Sequence, residues 1–315
     1  MHYCPYCFSQ VEPEALCGSC GADHRGYVPG PHHLPPGTVL AGRYLLGVAL
    51  GEGGFGITYL AADLRLGTKV AVKEYFPLDK ATRQGQKTLT VTGYAGAGAA
   101  VFQEGKARFL EEARTLSYIA GLPHIIHVLN CFESNGTAYI VMEYVQGITL
   151  TQWVRQRGGK VSAGELLPMM EGLFHALEQM HRLGLIHRDI SPDNMMLENG
   201  RLRLLDFGAA RDVGKRTETL TMTLRHGYAP VEQYQPVGQG PWTDVYALSA
   251  TIYYCLTGVT PPHALQRICD DPLKKPSELG ASLTHQQEQT LLYGLGVRPR
   301  RRFQSMGAMA EKLYR

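Results

Sequence analysis

What most limits the folds open to this chain is a glycine run set between two strand-like segments. The stretch LGEGGFGIT places Gly51, Gly53 and Gly56 in a G-x-G-x-x-G spacing, with YLLGVAL before it and ITYLAAD overlapping its end. Glycines there let a backbone close over phosphates with no Cβ in the way. The same spacing serves dinucleotide folds, where a helix follows the run. Here an apolar strand follows, and VAVKE then carries Lys73 on a further apolar strand. A lone lysine in a strand is usually a solvated edge residue. Flanked by VAV after such a loop, it reads as a phosphate ligand.

A second stretch, HRDISPDN at 187–194, sets a histidine, an arginine and Asp189 ahead of Asn194, the layout of a phosphoryl-transfer loop. Before it, GELLPMMEGLFHALEQMHRLGLI has the apolar period of a long amphipathic helix. KARFLEEARTLSYIAGL repeats that period with Phe109, Leu110, Ala113, Leu116 and Ile119. TAYIVMEYVQG reads as a strand running into a hinge. Residues 76–104 are rich in Gly, Ala and Thr with little period, an unusually long connection whose role the sequence does not reveal.

Four of the seven cysteines fall in the first twenty residues, as Cys4-x2-Cys7-x9-Cys17-x2-Cys20. Two such pairs put four thiolates within reach of one tetrahedral zinc ion. The segment is too short to bury a core, so metal binding would supply its folding energy. Four sulfurs close the shell, which makes the zinc structural and leaves no vacancy for His24, His32 or His33. The second knuckle keeps a glycine after its last cysteine, Gly21, where the first has Phe8. VPGPHHLPPG then reads as a stiffened linker. The net charge of +3 on 315 residues gives no argument for a nucleic-acid partner. No stretch approaches a membrane span and the start lacks the pattern of a signal peptide, so the expected location is cytoplasmic.

In this order the motifs resemble the protein kinase domain, specifically the bacterial serine/threonine protein kinases, from about residue 40 to 315. Further elements match: DFG at 206–208, GYAPVE at 227–232 in place of the usual APE element, and WTDVYALSATIYYCLTGVTPP with Asp244 near its start. The resemblance implies an α+β chain with the bilobal protein kinase fold, a small β-rich N-lobe and a large helical C-lobe. The expected layout is a zinc ribbon at 1–27, a Pro/Gly-rich linker at 28–40 and a kinase domain at 41–315. Its lobes would run about 41–145 and 146–315. Implied cofactors are ATP, Mg2+ or Mn2+, and structural Zn2+.

By the same resemblance, Asp189 would orient or accept the proton of the attacking hydroxyl. Asn194 and Asp206 would hold magnesium, and Lys73, fixed by Glu112, would grip the α- and β-phosphates. Ala71 would lie against adenine, the backbone around Glu143 and Val145 would bond it, and Met142 would guard the pocket behind. Arg302 would pair with Glu232 of the GYAPVE element. Arg188 would receive a phosphate on the activation loop, from Thr217, Thr219, Thr221 or Thr223 after autophosphorylation.

Two departures bear on activity. Ser191 stands where protein kinases carry a lysine that neutralises the transferred phosphoryl group, and Arg225 stands where they carry a threonine. Another cation must then stand in or turnover must be slow, and Arg225 is the candidate. The expected function is transfer of the γ-phosphate of ATP to serine and threonine hydroxyls of a protein substrate. Two alternatives stay open: an ATP-binding pseudokinase or scaffold signalling through the ribbon as an interaction module, and a small-molecule phosphotransferase of the aminoglycoside kinase type.

Overall fold

The computed structural model describes residues 3–12, 16–54, 56–83, 88–117, 119, 121–205, 211–212, 224–235 and 238–315, with backbone alone at 97, 117, 211 and 212. Two compact units are present. One comprises Met1–Ala120 with His127–Tyr144, the other Gly121–Ile126 with Val145–Arg315.

The first unit is built on an antiparallel sheet. Its strands in chain order are β1 (Val39–Leu40), β2 (Tyr44–Gly53), β3 (Gly56–Asp63) and β4 (Thr68–Tyr75), with a separate pair β5 (Ala81–Arg83) and β6 (Val91–Gly93). Helix α1 (Ala97–Ser117) precedes β7 (Val128–Ser134) and β8 (Thr137–Glu143). The six-stranded order is β1-β2-β3-β4-β8-β7. β4 lies inside it and is buried from Val70 through Tyr75, as its unbroken VAV run requires of a strand covered on both faces. α1 packs on β7 and β8 and starts earlier than its clearest period, so that Phe102 joins Phe109 against Tyr75.

The long connection at 76–104 has a use that its composition hides. It brings Arg83 to Glu74, a wholly buried carboxylate on β4 that also accepts from the Tyr59 hydroxyl (3.0 Å) and the Tyr139 hydroxyl (2.8 Å). Burial pushes this carboxyl up from its ordinary range, while the Arg83 charge and hydrogen bond pull the other way. Arg83 also donates to the His32 carbonyl, and the Tyr59 hydroxyl accepts from Leu34 N–H at 3.0 Å. The Pro/Gly-rich stretch is therefore packed: Leu34 is fully buried in the core of this unit.

The second unit is mainly helical. After β9 (Ile148–Thr149) come α2 (Leu150–Gln156) and α3 (Ala163–Arg182), then β10 (Leu185–Ile186), β11 (Met195–Glu198), β12 (Arg201–Leu204) and β13 (Arg211–Asp212). Helices α4 (Pro241–Thr257), α5 (Gln266–Cys269), α6 (His285–Gly294) and α7 (Met306–Leu313) complete it. A capping box between Ser162 and Glu165 starts α3, whose buried stripe includes Leu166, Met170, Leu173, Leu177 and Met180. α4 begins with Pro241 and is buried on nearly every face. Small sheets, β12-β11-β9 and β10-β13, frame the loop between β10 and β11. Among the described residues no helix is long and apolar enough to cross a membrane.

Candidate active site

In the second unit, HRDISPDN forms the connection from β10 into a short 3-10 turn, Pro192–Asn194, and then β11. Asp244, fully buried near the start of α4, holds this loop. Its Oδ2 accepts from His187 N–H and from His181 Nε2, and its Oδ1 from Arg188 N–H, each at 2.8 Å. Burial alone would raise this carboxyl, but the hydrogen bond and charge of His181, the charge of His187 and the Arg188 N–H bring it below its ordinary value. The anchor is needed because Arg188 sits at φ 71°, a left-handed conformation costing a residue with a Cβ about 1–3 kcal/mol. Asp189 N–H lies 3.3 Å from His187 Nδ1, and His187 Nε2 lies 3.2 Å from the Leu205 carbonyl. Gln233 Nε2 donates to the Arg188 carbonyl at 2.7 Å.

This framework joins Asp189 to Asn194. The Asn194 amide donates to Asp189 Oδ2 at 2.7 Å and to the Asp189 carbonyl at 2.8 Å. Its Oδ1 accepts from Arg225 at 3.2 Å, and the same guanidinium reaches Asp189 Oδ1 and Asp193 Oδ2, both at 3.1 Å. Ser191 is fully buried and its Oγ has no hydrogen-bond partner among the described residues. Leu205 N–H donates to the Asn194 carbonyl at 2.7 Å, which ties the residue before Asp206 to this loop. Asp206 itself, and Thr217, Thr219, Thr221 and Thr223, lie outside the described residues. Glu232 and Arg302 form a buried bidentate pair at 2.7 and 2.8 Å, with Thr243 Oγ1 donating to the same carboxylate.

The first unit carries the glycine run as the β2–β3 hairpin, with Gly53 paired to Gly56 across its end. A Cβ at Gly56 would lie 2.0 Å from the Glu74 carbonyl, so close approach of β3 to β4 demands glycine there. At Gly51 and Gly53 a Cβ would meet nothing within 4 Å among the described residues, and this end of β2 is exposed. Lys73 and Ala71 are buried on β4, where Ala71 faces Met142 of β8 in register. Glu112 lies half-buried on α1. The Glu143 N–H is committed to the His127 carbonyl at 3.1 Å and its carboxylate lies 3.0 Å from His127 Nδ1. Val145 is buried at the start of the second unit's main segment.

Cys4, Cys7, Cys17 and Cys20 converge, all four sulfurs lying within 4.8 Å of one another, with Cys7–Cys17 at 3.4 Å and Cys4–Cys20 at 3.7 Å. A zinc with Zn–S bonds of about 2.3 Å sets tetrahedral sulfurs ~3.8 Å apart, so the set fits that ion. The knuckles match bond for bond. Phe8 N–H donates to the Cys4 carbonyl (2.8 Å) as Gly21 N–H does to that of Cys17 (2.7 Å). Phe8 accordingly takes φ 66° beside the 70° of Gly21, a cost of about 1–2 kcal/mol for a residue with a Cβ. Burial opposes ionisation of Cys7, but Ser9 and the neighbouring sulfurs bring its thiol down to about 6. This knuckle rests on β2: Val48 N–H donates to the Pro5 carbonyl at 3.1 Å, and a Cβ at Gly47 would lie 2.1 Å from that oxygen and 3.0 Å from the Phe8 ring.

Reading the sequence by motif missed His181, Asp193 and the anchoring use of Asp244, none of which carries a local signal beyond its own letter. It also missed Arg83 and Glu74, whose opposite charges on a strand and a long connection were the available hint.

The protein kinase domain family model matches residues 44–290. A probable serine/threonine-protein kinase of Streptomyces coelicolor is 34% identical over 287 residues, which are 86% of this chain and 39% of that protein. Serine/threonine-protein kinase PknB of Mycolicibacterium smegmatis is 32% identical over 292 residues, 88% of this chain and 43% of that protein. The chain thus spans about two fifths of the length of these curated relatives. Among solved structures, the apo form of PpkA-294 gives a TM-score of 0.78 at 33% identity, covering 90% of this chain and 99% of that one. The PknI kinase domain of M. tuberculosis gives 0.68 at 26%, covering 89% and 98%. With its loop, its glycine hairpin and its buried Glu232–Arg302 pair in the family's order, this chain belongs to the protein kinase domain family and is of the bacterial serine/threonine kind.

Proposed function

We propose that the chain is an ATP-dependent serine/threonine protein kinase. The observation that carries this reading is the loop at 187–194, in which Asp189 and Asn194 are hydrogen-bonded to each other and the N–H groups of His187 and Arg188 just before them are held by a buried carboxylate. A packing element needs no carboxylate held in so fixed a position, whereas phosphoryl transfer relies on positioning and electrostatics. Asp189, half-exposed, orients the incoming hydroxyl and takes its proton. Lys73, supported by Glu112, holds the α- and β-phosphates, and the hairpin carrying Gly51, Gly53 and Gly56 covers them. Ala71 and the Glu143 carbonyl receive the adenine, with Val145 continuing the hinge. Asn194 and Asp206 would hold Mg2+ or Mn2+, which when bound neutralises phosphate charge. The four cysteines hold a structural zinc, in keeping with a reducing, cytoplasmic setting. The activation-loop threonines with Arg188 supply autophosphorylation control.

The test uses the purified chain with labelled ATP, magnesium or manganese, and a generic basic protein. Label should enter protein with wild type and be absent with Asp189→Asn. Mg-ATP should raise the melting temperature, and Lys73→Met should shrink that shift. A shift without label leaves a pseudokinase; label entering only an aminoglycoside leaves a small-molecule phosphotransferase.

A further inference from the structure

We infer that Arg225 supplies, from the activation segment, the cation that the catalytic loop lacks at Ser191, and that it acts by clamping Asp189 and Asn194 together. This deepens the kinase reading above and rests on it. Ser191 is unable to serve: its hydroxyl is neutral, short, wholly buried and, among the described residues, without a hydrogen-bond partner. Arg225 meets the need directly. Its Nε donates to Asp189 Oδ1, one terminal nitrogen to Asn194 Oδ1 and the other to Asp193 Oδ2, at 3.1, 3.2 and 3.1 Å. A planar guanidinium holds three acceptors in fixed directions, which a lysine ammonium on a flexible stem does not.

The position is built. The N–H groups of Tyr228 and Ala229 both donate to the Arg225 carbonyl (3.1 and 2.9 Å), fixing the backbone from which the side chain reaches. Asp193, the outer acceptor, is itself held by the Thr151 hydroxyl at 2.7 Å. With Asn194 on Oδ2 and Arg225 on Oδ1, both oxygens of Asp189 are oriented. Arg225 sets a positive charge against the carboxylates of Asp189 and Asp193. A phosphoryl group with its own negative oxygens would meet that charge as it approaches them. Arg225 is thus both a positioning residue for the base and the local cation facing the transferred group. The two departures from the family pattern then form one exchange, in which the charge has moved from position 191 to position 225.

The experiment compares wild type with Arg225→Ala, Arg225→Lys, Arg225→Thr, Ser191→Lys and the double substitution Ser191→Lys with Arg225→Thr. Each is checked by melting temperature, with Asp189→Asn as the blank. Arg225→Ala should lower kcat by about a hundredfold, the scale of removing one charge-stabilising donor, with the KM for ATP within about twofold. Arg225→Lys should fall between, since it keeps the charge and loses the fork. Ser191→Lys alone should change little, yet in the Arg225→Thr background it should restore at least about tenfold, a coupling that independent sites would not show. A second readout needs no turnover: Arg225→Ala should cut the preference for Mg-AMP-PNP over Mg-ADP by about threefold or more. A faster Arg225→Ala would make the residue an inhibitory plug and overturn the inference. So would a double substitution no better than Arg225→Thr, or an unchanged AMP-PNP preference. If wild type transfers no Asp189-dependent label, the kinase reading fails by itself, and the nucleotide preference still decides the role of Arg225.

Discussion

Replacing Asp244 by asparagine keeps the size of the side chain and removes its charge and one of its two accepting oxygens. The amide oxygen could still serve His181 Nε2 and His187 N–H, both of which now meet Oδ2. The amide nitrogen would then face Arg188 N–H, now 2.8 Å from Oδ1, donor against donor. One buried N–H left unsatisfied costs about 1–3 kcal/mol, and two charge-assisted bonds reduced to neutral ones lose roughly 1 kcal/mol each. Relief of the buried charge offsets part of this, leaving about 3 kcal/mol of destabilisation at neutral pH. The pH dependence has a definite sign. A carboxyl depressed in the fold contributes stability that is fully present above its unfolded pKa of about 3.9 and is lost as pH falls through the lower folded value. Urea unfolding of wild type and Asp244→Asn at several pH values should therefore show a gap that is constant near neutrality and closes below about pH 4. A gap under about 0.5 kcal/mol at pH 7, or one that widens in acid, would refute the claim that this carboxylate anchors the loop.

Metal analysis of the purified chain should find one zinc, and replacing Cys4, Cys7, Cys17 and Cys20 together should abolish it; chelation should lower the melting temperature because binding energy is folding energy here. Gly56→Ala should lower stability by a measurable few degrees and weaken the melting shift from Mg-ATP, since its Cβ would press on the Glu74 carbonyl. Arg302→Ala should cost about 3–5 kcal/mol in urea unfolding by leaving the buried Glu232 carboxylate unpaired, whereas changing exposed Arg301 should cost almost nothing.

Much of the site was readable because its residues cluster in short, ordered strings. The glycine hairpin, the VAVKE strand and HRDISPDN each place their groups within one turn or strand, so spacing alone carries the geometry. The Arg302–Glu232 pair spans seventy residues and was legible only through resemblance. Asp244 was visible as a letter near a helix start, but its three partners come from two other segments, and no local pattern encodes such a meeting. The 76–104 connection resisted for a related reason: a single arginine carries its packing role, and flexible composition around it conceals that. Leu34 shows the opposite limit, an apolar residue among prolines and glycines that reads as spacer and is in fact core.

The way the N-terminal segment is held has a consequence for exchange between proteins. On its side many of the contacts use main chain: the carbonyls of Pro5, Tyr6 and His32 and the N–H of Leu34. On the other side they use Gly47, the Val48 N–H, Lys69 and Tyr59 of the sheet and Arg83 of β5. The demand on sequence thus falls on both sides. A guest segment of different composition would fit the same seat if it kept the two knuckles, an apolar residue in place of Leu34, and Tyr27, His32 and His33, which reach the Ala49 N–H, the Phe76 ring and the Glu52 carboxylate. A host lacking Gly47 or Arg83 would refuse even the native guest.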